Sequence, residues 1–167
     1  MKNLNTILFL SFLFIISSCS SDDDSSPQDS PVMGTWEMTA LNVDRSFDLN
    51  NDGTTSTNIF AESQCYSDNY ITFYESGTVE IFYSLTDISL ELPDNYTFHC
   101  VDPILVEATY TMEDDELLVS FLDYKATGSI SGNTLIATFE EFFILPYNDN
   151  GTVRTQRENT TITFVKS

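Results

Sequence analysis

The chain has 167 residues, with 26 acidic against 6 basic side chains and a net charge of −20 at pH 7. That length suits one domain built around a single hydrophobic core. The charge excludes nucleic acid as a partner, because phosphate binding requires clustered Lys and Arg. An acidic surface otherwise serves solubility or, more specifically, divalent-cation binding.

The first element reads as a leader. Met1-Lys2 supplies a positive charge, and Thr6 through Ile16 is a nearly unbroken apolar run. It is shorter than the roughly 20 apolar residues that span a bilayer. A charged start, a short apolar middle and the small Ser17 and Ser18 form the pattern of a secretory signal peptide. Ile16-Ser17-Ser18-Cys19 resembles the lipobox of bacterial lipoproteins. The resemblance implies that residues 1–18 are removed and that Cys19 carries a diacylglycerol and further acyl (palmitate-type) chains. Two or more such chains hold a protein firmly, since each buried methylene contributes about 0.8 kcal/mol.

Residues 19–32 then read as a lipidated tether, because Ser20 to Ser30 holds only Ser, Asp, Pro and Gln and such a composition builds no core. Ser21-Asp22-Asp23-Asp24 is similar to the acidic signal that sends lipoproteins of Bacteroidetes-type bacteria to the outer face of the outer membrane. The implied location is the cell exterior, with the membrane as a partner through the anchor. A plain solvated linker is the alternative. With Cys19 committed to lipid, Cys65 and Cys100 remain. Outside the inner membrane an even pair suggests a disulfide, and two buried free thiols are the other reading.

From Met33 onward the chain reads as short β segments with little helical periodicity. Gly34–Leu41 opens a first strand, and an irregular loop follows. Tyr70–Tyr74 and Thr78–Tyr83 form a hairpin through Glu75-Ser76-Gly77. A less regular stretch with Pro93 leads to Tyr96–Phe98. Leu105–Met112 and Leu117–Leu122 flank a charged turn, Ala126–Ile130 and Leu135–Phe139 flank Ser131-Gly132-Asn133, and a Thr-rich strand follows Gly151 and ends in Thr161–Val165. Eight or nine such segments predict an all-β antiparallel barrel or sandwich over residues 33–167.

Gly34-Thr35-Trp36 looks like the Gly-x-Trp signature of lipocalins. Phe73, Gly77 and Thr78, then Gly132, Asn133 and Leu135, then Phe164-Val165-Lys166 extend a similarity to the lipocalin-like lipoproteins of Bacteroidetes. The resemblance implies a barrel of about eight strands closed at one end by Trp36. Lipocalins often stack a late arginine on that tryptophan. Here Arg154 and Arg157 are the candidates near the last strand, neither well placed, so an open sandwich stays in view.

Inward parity selects Trp36, Phe73, Tyr83, Tyr110, Phe121 and Phe139 as the wall of a ligand pocket or as filling of a solid core. Asp48, Asn50, Asp52 and Gly53 match the first half of an EF-hand-type loop, where alternate oxygens converge on calcium. The twelfth position is Ile59, so Glu62 or Asp68 would have to complete the shell; a connection rich in Asx turns is the other reading. No catalytic constellation is evident. His99 is the sole histidine and reads as structural beside Cys100, and no nucleophile elbow, zinc motif or phosphate loop is found. The expectation is a non-enzyme that binds a small apolar or amphipathic ligand. The alternative is an interaction lipoprotein with a filled core, using its acidic surface, and calcium, to meet a protein partner or surface polysaccharide.

Overall fold

A computed structural model describes residues 31–113, 116–121 and 124–167. The leader, Cys19 and the tether through residue 30 lie outside the described residues.

Eight strands form an up-and-down barrel: β1 (Gly34–Phe47), β3 (Tyr70–Phe73), β4 (Thr78–Tyr83), β7 (Ile104–Glu113), β8 (Glu116–Phe121), β9 (Tyr124–Ser131), β10 (Thr134–Asp149) and β11 (Thr152–Lys166). Each pairs antiparallel with the next, and β11 returns to β1 from Trp36↔Lys166 to Val43↔Thr160. That last ladder removes the sheet's edges and decides between barrel and open sandwich.

Alternation puts Ile71, Phe73, Val79, Ala108, Leu117, Ala126, Leu135 and Ala137 inside. In β1 the inward set switches from Trp36 and Met38 to Leu41 and Val43, because the ladder to β11 slips between Met38 and Ala40. A bulge of this kind adds a residue and reverses the parity beyond it. The outer face carries Glu37, Glu107 and Lys125, all exposed. Leu105, Leu118, Ile136 and Val165 are exposed on the same face, which is therefore mixed in polarity. Among the described residues no helix is long and apolar enough to cross a membrane.

One end of the barrel is closed by packing. Trp36 is fully buried, and its Nε1 donates to the Val32 carbonyl at 2.7 Å. Lys166 Nζ lies 5.4 Å from the Trp36 ring centroid and donates to the Pro31 carbonyl at 3.1 Å. The cation over the tryptophan is therefore a lysine. Arg154 and Arg157 sit elsewhere, one paired with Asp149 at 2.7 Å and the other donating to the Glu141 carbonyl. Gly34 has φ +104°, and a Cβ there would lie 3.5 Å from Lys166 Cε. Glycine alone takes that backbone without strain, which lets the chain enter beneath the lysine.

Two excursions leave the opposite end. Between β1 and β3 come β2 (Ser56–Asn58), the single helical turn α1 (Ile59–Glu62) and a 3-10 turn at Gln64–Tyr66. Between β4 and β7 comes a hairpin, β5 (Thr86–Glu91) and β6 (Asn95–Cys100), of which the sequence reading found only the Tyr96–Phe98 portion. Cys65 and Cys100 are joined in a disulfide with Cα atoms 5.3 Å apart, so the two excursions are stapled together. Asn51 reinforces the staple: its Nδ2 donates to the Tyr96 carbonyl and its Oδ1 accepts from the Tyr96 N–H.

β10 also continues well past Phe139, to Asp149, and with β11 rises beyond the barrel to meet the hairpin. Tyr96 donates to the Pro146 carbonyl at 3.1 Å, and Asn148 donates to the Pro93 carbonyl at 2.8 Å.

Candidate functional site

The barrel interior is full at the tryptophan end and hollow towards the excursions. A cavity of about 370 Å³ lies there, within the range of small-molecule sites. Its origin can be traced to small inward residues. Ala126 and Ala137 line it, with Val119 opposite Ala126 on β8 and Ile162 opposite Ala137 on β11. Gly128, next inward on β9, is closely packed: a Cβ would sit 3.2 Å from the Ile136 carbonyl oxygen and 3.3 Å from Leu135 Cδ1. Two alanines on adjacent strands thus leave volume that the surrounding aromatic side chains do not fill.

The mouth is ringed by aromatics. Tyr83 meets Phe121 edge-on with centroids 5.8 Å apart, and Tyr124 meets Phe142 edge-on at 5.2 Å. Phe139 and Phe142 lie 4.8 Å apart. Phe142 reaches this ring because β10 breaks register between Phe139 and Phe143. Phe139 faces Thr160 and Phe143 faces Glu158, so the β10 side of the ladder is longer at this point. Glu141, at φ +48°, takes the left-handed turn of that bulge, and its N–H is held by Asn159 Oδ1 at 3.1 Å. Leu85 and Ile144 line the cavity and are also about half exposed, which marks where it meets solvent.

One stretch of wall is polar, where the excursions leave β3 and β4. Asn69 is buried, and its Oδ1 accepts from the Ser84 N–H at 2.9 Å. The Tyr66 hydroxyl bonds to Thr86 Oγ1. Burial pushes the Tyr66 phenol up to about 12, against a smaller opposing effect of the Thr86 bond, so it is a neutral hydroxyl at ordinary pH. Burial also raises Tyr83. Among the described residues that line the cavity there is no Asp, Glu, Lys, Arg or His.

Of the six aromatics chosen by parity, Phe73, Tyr83, Phe121 and Phe139 line the cavity. Trp36 and Tyr110 point inward but belong to the closed end and do not line it. Trp36 lies beneath Lys166, while the Tyr110 hydroxyl donates to the Tyr74 carbonyl at 2.8 Å and its ring packs edge-on against Phe73. Parity fixes which face a side chain takes but not its depth along the barrel.

The 48–53 loop is held by its own backbone. Asp48 accepts from the N–H groups of Asp52 and Gly53, Asn50 Oδ1 accepts from Asp52 N–H, and Asp52 accepts from Thr54 N–H. Glu62 is buried and turned to the Leu49 N–H at 3.2 Å. No group of three or more His, Cys, Asp or Glu side chains among the described residues is arranged to hold a metal. His99 is exposed on β6, opposite Asp87.

A second buried polar feature lies beside the cavity. Glu158, 1% exposed, is paired with Arg45, whose Nε donates to Oε1 at 2.7 Å. The guanidinium lies over the rings of Phe47 and Tyr147, at 5.4 and 5.3 Å from their centroids. This pair lies on the β1–β11 side of the open end, and neither residue lines the cavity.

Sequence reasoning missed Tyr66, Asn69, Ser84, Thr86, Phe142 and Phe143, all in the cavity wall. Comparison with protein-family models, curated protein sequences and solved structures gave no match.

Proposed function

We propose that this chain is a lipid-anchored outer-membrane lipoprotein whose barrel binds a small apolar or amphipathic molecule. The observation that carries the reading is the cavity of about 370 Å³, apolar over most of its wall and rimmed by Tyr83, Phe121, Tyr124 and Phe142. A pocket of that size releases water and buries apolar ligand surface at about 25 cal/mol per Å². The anchor rests on the leader and on Cys19, in keeping with a barrel whose outer face is acidic and whose cysteines pair.

The test is native mass spectrometry of the protein purified from its own membrane, with and without a chelator, beside titration with an environment-sensitive apolar fluorophore. A co-purifying organic mass, or saturable probe binding lost in Ala137→Phe, supports ligand binding. Bare protein that takes up no probe would end it. A mass shift reversed by chelator would instead favour the interaction-protein reading with calcium. Replacing Cys19 with Ala should abolish incorporation of labelled palmitate; undiminished labelling would remove the anchor.

A further inference from the structure

We infer that the ligand is an uncharged amphiphile, a long-chain alcohol or monoacylglycerol in chemical class, with its hydroxyl head against Tyr66, Asn69, Ser84 and Thr86. This rests on the reading of the cavity as a ligand site and adds which end goes where and which head groups are refused.

The wall divides sharply. From Phe164 and Leu135 up to Phe139 and Val119 it offers only hydrocarbon and aromatic rings, while the four polar residues gather where the excursions leave the barrel. Three of them bring hydroxyls, which both donate and accept, and Asn69 brings a carboxamide whose oxygen already serves Ser84 N–H. Such groups satisfy a hydroxyl or ester head. A carboxylate or ammonium would enter with no opposite charge, because no ionisable side chain other than tyrosine lines the cavity among the described residues. An ion seated against the buried Tyr66 and Asn69 would give up its water with no opposite charge in exchange. Tyr66 does not supply a charge either, since its phenol stays protonated. The net charge of −20 further opposes an anionic lipid. The volume of about 370 Å³ is within the range of sites that take small molecules.

The experiment is displacement of a neutral fluorophore from the whole chain by lauryl alcohol, monolaurin, laurate and laurylamine at pH 7, each below its aggregation limit. Lauryl alcohol and monolaurin should compete at least tenfold better than laurate and laurylamine. In Ser84→Lys the order of alcohol and laurate should reverse, since a cation then stands at the head position. The Asn69 bond is kept because it uses Ser84's backbone N–H. Ser84→Gln, of similar length and uncharged, should keep the original order, which ties the reversal to the charge; if the lysine variant does not fold, Thr86→Val carries the test and should narrow the preference of the natural protein for the alcohol over laurate.

Laurate binding as well as the alcohol in the natural protein would overturn the inference while leaving a ligand-binding barrel intact. An unchanged order in a folded Ser84→Lys protein would also overturn it, by moving the head elsewhere. Failure of all four to displace a bound probe would overturn it too, and failure of the probe itself to bind would remove the underlying reading as well.

Discussion

The two ends of this barrel are made from the same strands and do opposite things. At the closed end the connections are short and Trp36 is wholly buried, packed with Phe73, Val79, Leu135 and Phe164 in one core. At the open end the inward positions shrink to Ala126 and Ala137, the connections lengthen into two excursions, and rigidity is restored by a disulfide and hydrogen bonds between them. The contrast is one of means: the closed end is held by packing around Trp36, and the open end by Leu49, Ile59 and Leu145 buried around a hollow and by a disulfide between its excursions.

The sharpest way to break that contrast is truncation at each end. Trp36→Ala should cost about 3–5 kcal/mol in urea unfolding, because it empties a fully buried site. Phe142→Ala, on the half-open rim, should cost less than about 1.5 kcal/mol. Equal losses would mean that the rim is as tightly packed as the base.

The disulfide comes next. Its closed loop separates Cys65 and Cys100 by 35 residues, so replacing both with serine should lose about 3–4 kcal/mol in the chain-entropy account. Hydrogen exchange should quicken over residues 48–69 and 84–103 while the β9–β11 ladders beside the closed end stay protected. Uniform acceleration would mean that the excursions and the barrel unfold as one unit.

A smaller effect should appear in alkali. The Tyr66 phenol is raised by burial from the ordinary 10.0 to about 12. The unfolded chain therefore loses this proton first, and stability present below pH 10 is lost as pH rises through the folded value. The loss is roughly 2–3 kcal/mol by pH 12, and it should be missing in Tyr66→Phe when chemical denaturation is followed across that window. The same slope in both proteins would place the alkaline transition elsewhere, for instance on Tyr83 or Tyr110, which burial also raises.

The smallest change in stability is expected inside the cavity. Ala137→Leu should alter unfolding free energy by less than about 1.5 kcal/mol, since the added carbons enter open space, yet reduce probe affinity at least tenfold. A strongly destabilised protein would indicate that the hollow is smaller than it looks.

Much of the barrel was legible beforehand. Alternation in Tyr70–Phe73, Thr78–Tyr83 and Leu117–Phe121, with turn residues between them, is a local signal that the tertiary fold does not override. The extent of β10 was not legible, because Glu140-Glu141 reads as a polar strand end. The chain in fact makes a bulge there and continues to Asp149. The β5 strand was passed over although Asp87-Ile88-Ser89-Leu90-Glu91 alternates: it is short, carries only two apolar residues and pairs with nothing but β6. The candidate site was half legible. Parity found Phe73, Tyr83, Phe121 and Phe139, but the polar wall is assembled from two excursions whose approach is set by Cys65–Cys100, and nothing local announces it. The small inward residues Ala126 and Ala137 were the available signal, and attention to large aromatics passed over them.

The route by which the chain enters the barrel carries a consequence of its own. Pro31 and Val32 are pinned by Lys166 and Trp36, on the far side of the molecule from the opening. On the anchoring proposed above, any pull through residue 19 would therefore bear on the Trp36 end and leave the walls of the doorway unloaded.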